Sequence, residues 1–263
     1  MDSLRFAIAA LLLPLLTISA QAAPIEKINV GLRNVIDTVE TSFKPAQATG
    51  LPPLSDVSAD FFQRSTLAEK KREMRADGQM FFRTATARDP LKFRFDYFRP
   101  TAQEIVSDGK TLWVYLPANR QVILSDVSFV FNPFNFDPDH TRAVNFLQGL
   151  GRISKDFVIF FSPQGQDIEG NYILELTPRR AMATIEKLFI VVNRDAVLNH
   201  VDPKRPFRQE FLFPILSTTV VDHQGNTTIM EFSNIRTNTR VSEALFDFQV
   251  PPYAQVVRPP TGR

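Results

Sequence analysis

The chain has no cysteine at all. It can form no disulfide, carry no thiol nucleophile and bear no acylated N-terminal cysteine, so its stability has to come from a packed core. Histidine is almost as scarce: His140, His200 and His223 lie far apart and lack the spacing of metal ligands. No Gly-x-Ser-x-Gly elbow and no phosphate-cradling glycine loop occurs. Asp137 and Asp139 could share acid/base work, but Asp137 serves better as a helix cap. With no visible seat for a nucleophile, a metal or a cofactor, the chain reads as a non-enzyme that uses neither metal nor cofactor. A surplus of one charge is lacking too, since 30 basic residues against 28 acidic ones leave a formal net charge of +2. The basic residues are scattered rather than striped, which argues against a nucleic-acid partner.

Long apolar runs are missing except at the N-terminus. There Arg5 precedes an apolar stretch from Phe6 to Ile18, followed by Ala20-Gln21-Ala22. The stretch is too short to span a bilayer and ends in small residues at a cleavage site, so residues 1–22 read as a secretory signal peptide. Cleavage after Ala22 is favoured, because cutting one residue later would leave Pro24 at the new terminus. Residues 23–263 would then be one exported domain, long enough to bury a core without disulfides.

Among aromatics, one Trp and four Tyr stand against 24 Phe. Buried Trp and Tyr need hydrogen-bond partners and Phe does not. A Phe-lined cavity can therefore stay dry and receive hydrocarbon, although an ordinary Phe-rich core would have the same composition.

Periodicity places the elements. Ile28, Leu32, Val35, Ile36, Val39 and Phe43 follow a helical stripe over about 25–43, which Pro45 ends. Residues 44–58, with Pro45, Gly50, Pro52 and Pro53, read as an extended linker or flap. Strand patterns follow at 60–67, 71–83, 92–97, 103–106, 111–116 and 121–127, with Asp108-Gly109 suited to a two-residue type I′ turn that needs positive φ at both positions. Asp137 and Pro138 open a short helix whose apolar side is Val144, Phe146, Leu147 and Leu150, stopped by Gly149 and Gly151. Strands resume at 157–161, 172–177, 187–192, 197–201, 211–221, 227–235 and 245–250. A single large curled antiparallel sheet covered by helices accommodates this order.

The most informative stretch runs from Arg88 to Gln121. Phe93, Phe95 and Tyr97 share one face of a strand while Arg94 and Asp96 take the other. Two strands on, Trp113 and Tyr115 share one face and Leu112, Val114 and Leu116 the other. Alternation alone leaves open which aromatic set faces inward.

These residues carry a family resemblance. Ala59-Asp60-Phe61-Phe62-Gln63, then Phe93-Arg94-Phe95-Asp96-Tyr97-x-x-Pro100-x-x-Gln103-x-Ile105-Val106, then Ser107-Asp108-Gly109-Lys110-Thr111-Leu112-Trp113-Val114-Tyr115-x-Pro117 resemble the LolA family of periplasmic outer-membrane lipoprotein carrier proteins. Phe146-Leu147-Gln148-Gly149, Leu174-Glu175-Leu176-Thr177-Pro178 and Phe246-x-Phe248-x-Val250-Pro251-Pro252 extend the match over nearly the whole mature chain. The chain departs from the family pattern in its long 44–58 segment, in Leu116 before Pro117 and in Tyr253.

The resemblance implies a mainly β fold, an unclosed β-barrel of about eleven antiparallel strands under a helical lid, around a hydrophobic cavity. It further implies a periplasmic carrier, expected to be monomeric, with acylated lipoproteins as cargo, an inner-membrane ABC transporter as donor and an outer-membrane lipoprotein as acceptor. Candidates for the acyl-chain cavity are Phe93, Phe95, Tyr97, Trp113, Tyr115, Val144, Phe146, Leu147 and Leu150. Arg88 resembles a family arginine that latches the lid, and an ion pair with Asp89 is the competing reading. Phe129, Phe131, Phe134 and Phe136 are candidates for the mouth, with satellite packing the alternative. A carrier of another lipid, or a non-catalytic envelope-sensing binding module of similar fold, would leave almost the same signals.

Overall fold

The computed structural model describes residues 30–44, 52–86, 89–126, 150–182, 185–202 and 204–258. The signal-peptide segment, Arg88, the mouth candidates Phe129, Phe131, Phe134 and Phe136, and the helix candidates Val144, Phe146 and Leu147 lie outside those residues.

Helix α1 (Leu32–Ser42) comes first and begins later than its apolar stripe suggests, with Gly31 at its N-cap in an extended conformation. The backbone N–H of Gly31 donates to Asn34 Oδ1 at 3.0 Å, tying the cap to the first turn. Strands β1 (Asp56–Leu67), β2 (Arg72–Arg83), β3 (Lys92–Arg99), β4 (Gln103–Ser107), β5 (Thr111–Leu116) and β6 (Gln121–Asp126) form an antiparallel meander. Asp56 to Ser58, expected at the end of the extended segment, are already the first rungs of β1. After a 3₁₀ turn at Leu150–Arg152 come α2 (Ile153–Asp156), β7 (Phe157–Gln166), β8 (Tyr172–Pro178) and β9 (Lys187–Val192). Then follow α3 (Arg194–Val201), β10 (Ile215–Val221), β11 (Thr227–Thr237) and β12 (Gln255–Val257).

Among the described residues all the strands belong to one unclosed sheet in the order β12-β6-β5-β4-β3-β2-β1-β11-β10-β9-β8-β7. The fold class is as expected, with twelve strands among the described residues rather than about eleven, and β12 pairs with β6 in parallel. That short strand covers the hydrogen-bonding edge β6 would otherwise present.

Several local expectations are corrected. Residues 197–201 are helix, not strand: Asn193 Oδ1 accepts from the Ala196 N–H at 2.9 Å and Asp195 sits in the first turn, so cap and dipole override a short apolar run that either structure could use. Pro214 delays β10 to Ile215, and a 3₁₀ turn occupies Gln209–Leu212. Residues 245–250 are not the closing strand, since a 3₁₀ turn over Glu243–Phe246 leads into extended chain and the true last strand is β12. The Asp108-Gly109 turn is not type I′, for only Gly109 has positive φ, at 91°. Asp108 Oδ1 instead accepts from Lys110 N and Thr111 N at 2.8 and 2.7 Å, which closes a longer loop. Gly151 does not end helical structure either, because the chain continues through it into α2.

The register makes one face continuous. Val57, Ala59 and Phe61 on β1 align with Phe82, Met80 and Gly78 on β2, and these with Phe93, Phe95 and Tyr97 on β3. The row continues through Ser107, Ile105 and Gln103 to Leu112 and Val114, and in the other direction through Phe232 and Met230. This inner face packs with α1 residues Val35, Ile36 and Val39 in the main core, which α3 joins through Val197.

Candidate functional site

The floor of the inner face is aromatic. Phe93 and Phe95 are each 1% exposed. Edge-to-face contacts link Phe93 to Phe95 at 6.3 Å between ring centroids, Phe95 to Phe61 at 5.7 Å and Phe61 to Tyr97 at 4.8 Å. A second set runs from Phe82 through Phe43, at the end of α1, to Phe213 and Phe232, with centroids 6.2, 6.0 and 5.7 Å apart. Helix α1 thus lies over the sheet with its own ring inserted among those of the strands. Leu150, 0% exposed, is in the same core.

Strand alternation around Arg88–Gln121 singles out Phe93, Phe95 and Tyr97 but not Phe61, Phe82, Phe43, Phe213 or Phe232, which face the same way. The signal for Phe61 lay in β1, where Val57, Ala59 and Phe61 repeat the period of two. Gly78 makes the cluster possible. A Cβ there would stand 2.0 Å from the Asp96 carbonyl oxygen and 2.8 Å from Phe61 Cζ. The missing side chain leaves the volume that the Phe61 ring fills.

Toward one rim the face turns polar. Tyr97 donates its hydroxyl hydrogen to Gln63 Oε1 at 2.9 Å, Gln63 Nε2 donates to Ser65 Oγ at 3.3 Å, and Ser65 Oγ lies 3.3 Å from Thr228 Oγ1. Burial pushes the Tyr97 phenol far above its ordinary value. Gln103, directly across from Tyr97 on β4, has a side-chain nitrogen shut off from solvent and without a hydrogen-bond partner among the described residues.

A buried carboxylate fastens α1 beside this face. Glu40 Oε1 accepts from the backbone nitrogen and hydroxyl of Ser154 on α2, at 2.8 and 2.6 Å, and Oε2 accepts from Lys44 Nζ at 3.1 Å. Burial raises the Glu40 pKa, but the Ser154 hydrogen bonds and the Lys44 contact outweigh it and hold the carboxyl below its ordinary value.

Trp113 and Tyr115 are placed on the opposite, outer face. They pack with Val106, Val122 and Phe248 in a separate cluster, with Phe248 6.1 and 5.9 Å from the two rings. The C-terminal segment runs across them as a strap. Tyr115 and Tyr253 hydroxyls lie 3.3 Å apart, Glu243 pairs with Arg83 and with Lys92, and the Gln255 N–H donates to the Arg120 carbonyl at 2.8 Å. Arg94 joins strap to sheet by donating to Asp96 at 2.8 and 2.9 Å, to Glu104 at 2.6 Å and to the Leu245 carbonyl at 3.3 Å. A cleft of about 290 Å³ under the strap is lined by Lys92, Asp108, Glu243, Ala244, Phe246 and Asp247, a charged lining unsuited to hydrocarbon.

Among the described residues no group of three or more His, Asp or Glu side chains could hold a metal ion. His200, on the exposed side of α3, has its pKa lowered by partial desolvation against the opposing pull of Asp37, and His223 Nε2 lies 2.7 Å from the Met182 carbonyl. No helix among the described residues is long and apolar enough to cross a membrane.

A one-sided aromatic face on an unclosed sheet narrows the choice of families, and comparison with known proteins decides it. Residues 53–204 match the family model described as outer membrane lipoprotein carrier protein LolA. The chain belongs to the LolA family. The outer-membrane lipoprotein carrier protein of Bordetella avium is 27% identical over 205 residues, covering 78% of this chain and 82% of that protein. The corresponding protein of Chromobacterium violaceum is 28% identical over 220 residues, covering 81% and 89%. Among solved structures, a LolA superfamily protein from Nitrosomonas europaea aligns with a TM-score of 0.36 at 15% identity, over 83% of this chain and 98% of that one. The LolA family match spans β1 to α3 and so includes the whole aromatic floor contributed by β1–β3.

Proposed function

We infer that this LolA-family chain is a periplasmic carrier that acts without catalysis. It is exported by removal of residues 1–22, takes acylated lipoproteins from an inner-membrane ABC transporter, shelters their acyl chains and passes them to an outer-membrane acceptor. The observation that carries this reading is the continuous inner face, where Phe61, Phe82, Phe93 and Phe95 present rings without polar atoms beneath α1. Phe93, Phe95, Tyr97 and Leu150 are the lining candidates on that side. Trp113 and Tyr115 belong instead to the strap-covered face.

The physical demand on such a carrier is severe. Exposing one sixteen-carbon acyl chain to water costs on the order of 12 kcal/mol, at about 0.8 kcal/mol per CH₂. Release by free diffusion is then far too slow, and cargo has to pass directly between proteins. The carrier must also hold the chains less firmly than the acceptor does, or transfer stalls. Flat contacts with phenylalanine rings meet that demand, because they supply dispersion and burial without a directional lock.

The test is a release assay. Inner-membrane vesicles carrying the transporter and an acylated lipoprotein are incubated with ATP and the mature chain, and the supernatant is analysed for a soluble complex. The carrier reading expects lipoprotein to leave the vesicles bound to this chain. Lipoprotein that stays in the pellet, with transporter shown to be active on another carrier, sinks it.

A further inference from the structure

We propose that the Gln103 side-chain amide donates a hydrogen bond to an acyl-ester carbonyl oxygen of the bound lipid, at the glyceryl end of its chains. The inference rests on the carrier reading and adds to it the polar group that sets how deep the chains enter.

Gln103 Nε2 is closed to solvent and has no acceptor among the described residues. Buried amide donors in folded proteins are nearly always paired, and one left unpaired costs free energy that a ligand carbonyl can recover. Neighbouring groups do not fill the role. The Tyr97 hydroxyl hydrogen goes to Gln63, and Gln63 in turn donates to Ser65, so this polar row leads away from Gln103 and leaves its nitrogen unspent. The position is chemically apt as well. Gln103 stands level with Tyr97 at the half-buried end of the inner face, whereas Phe95 and Phe93, one and two steps along the same strand face, are almost wholly buried. An amphiphile laid on this face with its tails over the rings would bring its first polar atoms to Gln103. Those atoms, in a diacylglyceryl lipid, are ester carbonyl oxygens, which accept hydrogen bonds and cannot donate them. A carboxamide, with two donors on one nitrogen, complements them.

The same ester chemistry occurs in a lipoprotein's diacylglyceryl cysteine and in a membrane phospholipid. The experiment therefore uses two matched pairs of ligands: a dipalmitoylglyceryl-cysteine peptide with its dialkyl-ether analogue, and phosphatidylglycerol with its dialkyl-ether analogue. Ether linkages keep the chains and the glycerol but remove the carbonyl oxygen. Each ligand competes with a fluorescent acyl probe bound to the mature chain. Wild type is expected to prefer the diester of at least one pair by about tenfold, the equivalent of one recovered hydrogen bond. Gln103→Leu, and the unbranched Gln103→Met in case the first fails to fold, are expected to bring that ratio to about one by weakening the diester alone. The pair that shows the preference identifies the source of the carbonyl. Equal binding of ester and ether by wild type, or a preference that survives in both variants, overturns the proposal while leaving the carrier reading intact. Failure of all four ligands to displace the probe overturns both.

Discussion

Glu40 on α1 and Ser154 on α2 are joined twice, by the Ser154 backbone N–H at 2.8 Å and by its hydroxyl at 2.6 Å, although 114 residues separate them in the chain. The carboxylate is buried, so the pair holds the cover helix to the strand-bearing body through a group that water does not compete for.

Replacing Glu40 by Ala strands the Ser154 donors and should cost roughly 1–3 kcal/mol in urea unfolding. The Glu40 carboxyl has a folded pKa below its ordinary 4.5, so its stabilising contribution is complete above that value and disappears as pH falls through the depressed folded value. The stability gap between wild type and Glu40→Gln should therefore be widest near neutrality and close on acidification. A gap that is constant with pH would show that the carboxylate charge is immaterial.

Gly78→Ala should be strongly destabilising for so small a change. The added methyl meets the Asp96 carbonyl at 2.0 Å, and a backbone atom across a sheet rung cannot step aside as a flexible side chain could. A cost of at least 1–3 kcal/mol, about that of overpacking a core, is expected in chemical denaturation. An unchanged unfolding midpoint would mean that β2 and β3 can separate freely.

Trp113 is the only tryptophan, and Phe248 lies 6.1 Å from its ring. Phe248→Ala should lift the strap from the outer face, shift Trp113 fluorescence emission to the red and expose the 239–258 segment to limited proteolysis. Because the acyl-binding candidates face the other way, binding of an acyl probe should persist. Loss of probe binding without loss of fold would place cargo on the strap side.

Tyr97 should remain protonated where ordinary tyrosines ionise, since burial raises its pKa and no cation among the described residues offsets it. In an alkaline titration followed at tyrosinate wavelengths, wild type and Tyr97→Phe should coincide up to the pH of unfolding and differ by one tyrosine beyond it. An earlier difference would show that water reaches this rim.

Much of this arrangement is legible without coordinates. The alternation in Lys92–Arg99 and Thr111–Leu116 sorts each strand into two faces, because a period of two is a property of the extended backbone itself. Both expectations about faces hold residue by residue: Phe93 and Phe95 lie together, as do Trp113 and Tyr115. What could not be read was the orientation of one strand's pair relative to the other's, since that depends on register across β4, where Val106 opposes Trp113 and Ile105 opposes Val114. Residues 197–201 failed for a different reason. A short apolar run fits strand and helix equally well, and the cap at Asn193 decides between them.

Local patterning alone determined the cysteine-free β-rich class, the strand faces and the stock of phenylalanine rings, because each follows from composition, neighbouring residues and the geometry of an extended chain. Only the tertiary structure decided which aromatic set is inner, how Gly78 yields its volume to Phe61, and that Gln103 keeps an unspent donor beside Tyr97. Those facts arise from pairings between strands and from what α1 and the C-terminal strap cover, and contacts between distant segments leave no period in the sequence.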